Sequence, residues 1–484
     1  MADATTLTRT APTFAIVGHP NRGKSSVVAT LSQNDSIAIA MEPGTTRESQ
    51  AFPLKVDGET LYNLVDTPGF QRPRRVLAWL EAHSASASDR PDTVRAFYHQ
   101  HRDDPQFHDE CELLAPIIEQ QAGIIYVVDG SVPYSPANEA EMTILQWTGR
   151  PSLALINAIG SDDHSNDWEN ALGQYFRIVR RFNAVTAPFE QHLGLLRAFG
   201  QLEPRWEKLL GTATTHLERQ RQQRHEQAAE LIVHALSDMM QLQVSAIEST
   251  HEPRSDSRRH LQQRWLDAQR KRERQLRHAI EGLYQHHRIQ RQERDLDWQN
   301  DDLFSQRSRA AWGVSRTYLA TAGFGAGALG GVGIDALTFG ASFGTGALLG
   351  GVIGAASSYF YADRLAKWSF GPLLGDRQTL RYGPVADLQF AYVILGRALN
   401  HWYQISHRNH AGRSPMALEN TESHWLEQLS RDRQRELQGL VQRLGKGTTD
   451  GRRHTHWIQV VSESMDAFEQ WQEQFRKGPG RAHS

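Results

Sequence analysis

Cysteine is almost missing: among 484 residues only Cys111 occurs, so no disulfide can close within one chain and no cysteine-built zinc cluster can form. A reducing compartment follows. An excess of one charge sign is missing too, since 53 Lys and Arg face 55 Asp and Glu for a formal net charge of −2. That excludes a nucleic-acid binder acting through bulk positive charge and leaves any basic surface local. Hydrophobic residues are 39% of the chain, too few for a polytopic membrane protein. Met1 to Pro12 lack the basic start, apolar stretch and cleavage site of a signal peptide, so the N-terminus is read as cytoplasmic.

What is present divides unevenly. The length exceeds what one hydrophobic core serves, and composition shifts place expected boundaries at 1–200, 201–310, 311–368 and 369–484. In the first stretch, short apolar runs (Phe14–Val17, Leu61–Val65, Ile124–Val128, Leu153–Ile156 and Arg177–Arg181) alternate with helical patterns. This is the signature of an α/β domain whose mainly parallel sheet is covered by helices on both faces. A polar insertion between Phe70 and Cys111 is too long for a plain connection and is expected to hold one or two helices. From Glu203 the chain is rich in Gln, Arg, His and Glu, with Leu231, Ile232, Ala235, Met239, Leu242 and Ile247 at helical spacing. A mostly α-helical region is expected from there to the C-terminus, with Trp402, Trp425, Trp457 and Trp471 as packing anchors.

The chemistry sits near the start. Gly18-His19-Pro20-Asn21-Arg22-Gly23-Lys24-Ser25, continuing into Ser26, matches G-x-x-x-x-G-K-[ST] between an apolar run and a helix. In such a loop the glycines let backbone N–H groups wrap a β-phosphate, Lys24 reaches the β and γ oxygens, and the Ser25 hydroxyl ligates Mg²⁺. Asp66-Thr67-Pro68-Gly69 follows Leu61–Val65, placing the Asp66 carboxylate at a strand's C-terminal end, where doubly wound sheets bind ligands. Asp66 is expected to hold Mg²⁺ through water, and Gly69 to offer its N–H to a γ-phosphate. Between the motifs, Pro43-Gly44-Thr45-Thr46-Arg47 supplies a hydroxyl for the Mg²⁺ shell, Thr46 first and Thr45 second.

These three motifs resemble those of the TrmE, Era and EngA group of bacterial GTPases, over about the first 200 residues only. The resemblance implies GTP as ligand, Asn21 as a contributor to a K⁺ site, and a hydrophobic residue, Phe70, where other GTPases position water with Gln. Catalysis would then rest on Lys24, Thr46, Gly69, Asn21 and Mg²⁺, with slow intrinsic turnover. The sequence departs from the group at base recognition: where N-K-x-D is expected it reads Asn157-Ala158-Ile159-Gly160, so the Asp that pairs with guanine is absent, with Asp162 or Asp163 as candidate substitutes after a loop shift, and ATP or a relaxed choice of base stands as the alternative to GTP. Asn183-Ala184 resembles the base-backing S-A loop. The later part of the chain resembles a C-terminal domain of unknown function that accompanies such G domains.

One further segment stands out. Thr317–Tyr361 contains a single charge, Asp335, and is dominated by Gly, Ala and large apolar residues. Its halves, Thr317–Ile334 and Ala336–Tyr361, would be roughly 27 and 39 Å long as helices, near the roughly 30 Å of a bilayer core. Gly323, Gly327 and Gly331 form a stripe along which helix backbones pack closely. A Gly-rich helical hairpin follows, either membrane-inserted or packed within the protein. Arg307, Arg309 and Arg316 before it and Arg364 and Lys367 after it place both ends on the cytoplasmic side of the inner membrane.

The expected function is a GTP-binding switch with slow hydrolysis, attached to the inner membrane through the hairpin. Lipid and a second copy paired through its G domain are candidate partners. The alternatives are a nucleotide-gated scaffold without significant hydrolysis, or an Era-like factor touching RNA or the ribosome through the arginines of 254–294, whose interleaved acids read more simply as a solvated helix face.

Overall fold

The computed structural model describes residues 11–20, 22–32, 48–56, 58–160, 162–184, 187–249, 254–284, 303–304, 308, 312, 365–374, 377–407, 424–445 and 451–476. Asn21, Thr45, Thr46 and the whole of 313–364, which carries the expected Gly-rich hairpin, lie outside them. The chain divides into one unit of Met1–Gln222 with His407–Ser414 and another of Gln223–Ser406 with Pro415–Ser484.

The first unit is built on six strands: β1 (Thr13–Val17), β2 (Gln50–Val56), β3 (Glu59–Asp66), β4 (Gly123–Asp129), β5 (Ser152–Asn157) and β6 (Val179–Arg181). Their order is β2-β3-β1-β4-β5-β6, and all pairings are parallel except β2 with β3. Successive side chains on a strand point to opposite faces. Phe14 and Ile16 therefore enter one apolar core, while Ala15 and Val17 enter the other. Every residue of β4 is buried, as a parallel strand covered on both faces requires. The first core is closed by α1 (Lys24–Ser32), α7 (Phe189–Leu202) and the start of α8 (Pro204–Gln241); the second by α2 (Pro73–His83), α3 (Arg90–His101), α4 (His108–Glu119), α5 (Glu139–Trp147) and α6 (Ser165–Leu172). The insertion thus holds α2, α3 and the beginning of α4, more than the one or two helices expected. Strand β2 was not foreseen. It is an edge strand carrying Pro53, tolerated there because an edge residue need not donate to a second neighbour.

The second unit is mostly helical, as expected, with one addition the sequence did not announce. Beyond the rest of α8 and α9 (Arg254–Leu283), it contains an antiparallel sheet of β7 (Val244–Ser249), β8 (Ala366–Leu374) and β9 (Arg377–Val385), in the order β7-β9-β8. Leu242 and Ile247 do not extend the helical stripe: α8 ends at Gln241, and Ile247 stands 73% exposed on β7. Among the described residues it also holds helices α10 (Leu388–Ser406), α11 (Arg431–Gly445) and α12 (Gly451–Arg476). Residues Gln389–Ile405 of α10 are buried without a break, which makes it the central helix of this core. Trp402, Trp425, Trp457 and Trp471 are all buried in it. Along α9, Arg270, Arg272 and Arg277 pair with Asp267, Asp238 and Glu273, so these three charges are answered within the unit. Among the described residues no helix is long and apolar enough to cross a membrane.

Candidate nucleotide site

The parallel register brings three polar residues to one edge of the first sheet. Asp66 lies opposite Ile16 on β1, and Asp129 at the end of β4 lies opposite Asn157 at the end of β5. The loop from β1 to α1 runs across this edge, and two of its glycines are required by contact and conformation together. Gly18 has φ 144°, and a Cβ there would sit 2.3 Å from the carbonyl oxygen of Val127. Gly23 has φ 80°, and a Cβ there would sit 2.3 Å from Nδ2 of Asn157. Only glycine takes such a backbone without strain in so little space.

Lys24 opens α1 and folds back over the loop, its Nζ donating to the carbonyls of Gly18 and His19 at 3.2 Å each. Burial pushes the ammonium pKa below its ordinary value, while Asp66 and Glu141 oppose that shift. A cation held against main-chain oxygens in a dry loop is ready to meet phosphate oxygens instead. The Ser25 hydroxyl donates to Oδ2 of the fully buried Asp66 at 2.9 Å. A hydroxyl and a carboxylate side by side at a helix N-terminus are hard oxygen donors of the kind Mg²⁺ takes alongside water and phosphate, so Ser25 and Asp66 fit that ion. Ser26 follows in the first turn of α1, half-buried.

The D-T-P-G turn is fastened to the same loop. Thr67 Oγ1 donates to the carbonyl of Ile16 at 2.7 Å, and a Cβ on Gly69 would lie 2.5 Å from Cδ of Pro20. Gly69 thus lies directly against the loop. Phe70 turns the other way and is wholly buried in the second core with Leu113 and Leu114, leaving no side chain at that position to orient a water.

On the base side, Asn157 is a structural tie. Its Oδ1 accepts the N–H of Ala184 at 3.0 Å and its Nδ2 donates to the carbonyl of Arg22 at 3.4 Å. Asn183 Nδ2 donates to the carbonyl of Ala158 at 2.9 Å, and Thr30 Oγ1 to that of Ala184 at 2.7 Å. The residues resembling the base-recognition loops are thereby brought together. Gly160 stands where the guanine-pairing Asp is expected, and a Cβ there would meet Oγ of Ser131 at 2.9 Å and its Cβ at 3.0 Å, so Ser131 occupies the room a side chain would need. Asp163 accepts the N–H of Ser165 at 3.0 Å, and bonds from Ser165 hold its carboxyl below the usual range. A cavity of about 390 Å³ opens here, lined among others by Ala158, Gly160, Asp162, Asn183 and Pro188.

Several residues at the site carried no signal in the sequence. Glu141, 1% exposed, bonds His19 Nδ1 at 3.0 Å through one oxygen and accepts the Tyr126 hydroxyl at 2.9 Å through the other. Asp129 accepts Ser131 N–H and Oγ–H at 2.9 and 2.6 Å and lies 3.7 Å from Arg22. His19 and Glu141 are 122 residues apart. Only Asp129, closing the run Ile124–Val128, could have been suspected from its place at a strand end.

Residues 13–158 match the family described as 50S ribosome-binding GTPase, and residues 169–467 match a domain of unknown function (DUF3482). The chain is 39% identical over 144 residues to GTPase Der of Mycoplasma pneumoniae, covering 30% of this chain and 26% of that protein. It is 41% identical over 189 residues to GTPase Der of Aromatoleum aromaticum, covering 39% and 36%. It thus spans about a quarter to a third of the length of these two relatives. A tyrosine-to-alanine variant of Aquifex aeolicus Era bound to GDP and aluminium fluoride overlaps with TM-score 0.25 at 15% identity, over 49% of this chain and 72% of that one. The stretch matched by the unknown-function model begins within α6 and runs to α12. The chain therefore belongs to the family of that domain, which it carries behind a G domain of the 50S ribosome-binding GTPase kind.

Proposed function

We propose that this protein binds GTP with Mg²⁺ and hydrolyses it slowly, acting as a switch that works at the cytoplasmic face of the inner membrane. The observation that carries the enzymatic reading is the phosphate loop: Lys24 folded over Gly18 and His19, with Ser25 bonded to Asp66 beside it. Lys24 would answer the charge that develops on the transferred phosphoryl group, and Ser25 and Asp66 would hold Mg²⁺. Mg²⁺, when bound, supplies further positive charge at those oxygens. The Gly69 N–H would fasten the turn to a γ-phosphate and release it after hydrolysis. With Phe70 buried, the position that carries Gln in other GTPases offers no side chain to order the attacking water, which is why turnover is expected to be slow. By resemblance, K⁺ near Asn21 would supply part of the missing charge.

The deciding measurement is GTP and ATP turnover in potassium against sodium, with Lys24→Ala as control. Nucleotide binding without Lys24-dependent turnover would leave a nucleotide-gated scaffold instead of an enzyme. Membrane attachment rests on the composition of Thr317–Tyr361. Recovery of the protein with ribosomes, and its absence from salt-washed membranes, would overturn that attachment in favour of an RNA or ribosome partner.

A further inference from the structure

Helix α4 touches both chain segments that flank the phosphate site. Glu110, in its first turn, is completely buried, and its Oε1 accepts the main-chain N–H groups of Gln71, at 3.0 Å, and Arg72. These two residues directly follow Gly69 and Phe70. Two positions further along the helix, Glu112 Oε2 accepts the N–H of Ser49 at 3.0 Å, and its carbonyl accepts the Ser49 hydroxyl at 2.6 Å. Ser49 lies three residues beyond Thr46 and immediately before β2.

Glu110 is an uneconomical way to fill a core. Its Oε2 is buried without a hydrogen bond, and a buried polar atom left unbonded is destabilising. A leucine of similar bulk would avoid that loss but would leave two amides after the D-T-P-G turn without acceptors. The helix itself is well anchored, with Leu113, Leu114 and Ile117 at 1% exposure or less. A rigid helix bonded to both segments moves them together or not at all, because packed cores shift between discrete arrangements.

We propose that α4 couples the two segments that sense the nucleotide, with Glu110 and Glu112 as positioning residues for hydrolysis: Glu110 holds the chain behind Gly69, and Glu112 holds the chain behind Thr46. The inference rests on the GTPase reading above. Loss of either acceptor lets one segment lag, so the water-excluding, charge-answering arrangement assembles less often while nucleotide contacts with the phosphate loop persist.

The test measures kcat and KM for GTP on the full chain with Glu110→Ala, Glu110→Gln, Glu112→Ala and Ser49→Ala. The alanine variants at 110 and 112 are expected to lose about tenfold in kcat, with KM within about twofold of the parent. Ser49→Ala keeps the main-chain bond to Glu112 and is expected to lose about threefold. Glu110→Gln, whose amide oxygen accepts the same two N–H groups, should stay within about threefold. If Glu110→Ala does not fold, Glu112→Ala and Ser49→Ala, both at half-buried positions, carry the test alone. The coupling is overturned if Glu112→Ala turns over like the parent, if Glu110→Gln falls as far as Glu110→Ala, or if KM rises in step with the loss of kcat. A parent protein without Lys24-dependent turnover would instead remove the GTPase reading, and the coupling with it.

Discussion

Both units of this protein bury charge, but they place it differently. In the first, Lys24, Asp66, Asp129 and Glu141 gather at one edge of the sheet and contact loops: main-chain carbonyls, the Ser25 hydroxyl and residues of the phosphate loop. In the second, the charges close on one another between helices. Glu273 Oε1 receives Arg397 Nε at 2.6 Å and Arg277 Nη2 at 2.9 Å, and Arg397 also donates to Ser308 at 2.8 Å. Burial alone would raise the Glu273 pKa, but the two guanidiniums hold it below the usual value. One helical turn pair away, Glu281 accepts from His278 at 3.1 Å and lies 3.3 Å from His401, whose pKa burial lowers. Charge at a loop edge can change partners when a ligand arrives. Charge closed inside a helix pair has no such freedom, because each group already holds its partner, and removing one partner would leave the other buried and unpaired.

This contrast can be broken or sharpened by experiment. The largest effect is expected from Arg397→Ala, which strips Glu273 of one partner in a closed core. Thermal or denaturant unfolding should show a loss of about 3–5 kcal/mol in the second unit, with nucleotide affinity unchanged; a parallel fall in affinity would mean that the two kinds of buried charge are not separate. Lys24→Ala should do the reverse, lowering GTP turnover by about 10²–10³-fold with no loss in melting temperature. A comparable loss of stability would make Lys24 a structural residue.

A pH test comes next. His192 is fully buried in the first unit, its ring against the Tyr62 hydroxyl at 2.6 Å, and burial lowers its pKa to about 4. The unfolded chain takes up this proton near pH 6.5 and the folded one only near 4, so stability is retained above 6.5 and lost as pH falls between those values, by roughly 3 kcal/mol in all. His192→Phe should flatten that part of the stability curve; an unchanged slope would assign it elsewhere. The smallest effect is expected at the base cavity. Asp162→Asn should shift preference from guanine toward xanthine nucleotides by about tenfold, the worth of one paired carboxylate contact, read by competition binding. No shift would mean that Asp162 does not read the base.

How much of this was legible beforehand varies with the range of the interactions involved. The phosphate loop is eight consecutive residues whose backbone conformation and side-chain chemistry are set locally, so Gly18–Ser25 could be read directly. The apolar runs of β1, β3, β4 and β5 were equally plain, because strands buried on both faces are apolar throughout. Strand β2 was not, since Gln50, Pro53 and Lys55 answer to an edge position that exists only once β3 is beside it. The β7-β9-β8 sheet was hidden for the same reason: Arg377, Gln378 and Arg381 read as helix surface, and Ile247 fits either period.

By itself, then, the sequence determined a glycine-bent loop carrying a lysine and a serine in the pattern of a phosphate-binding loop, a strand-end aspartate, an absent guanine-pairing aspartate and a single cysteine, Cys111, that excludes an intrachain disulfide. Only the tertiary structure decided that Phe70 faces the core, that Ser131 fills the place beside Gly160, that Asn157 ties Arg22 to Ala184, and that Glu110 and Glu112 hold two distant segments on one helix. Each of these depends on atoms brought within hydrogen-bonding or van der Waals distance by the packing of strands, helices and loops around the sheet. Such distances leave no trace in the spacing of residues along the chain.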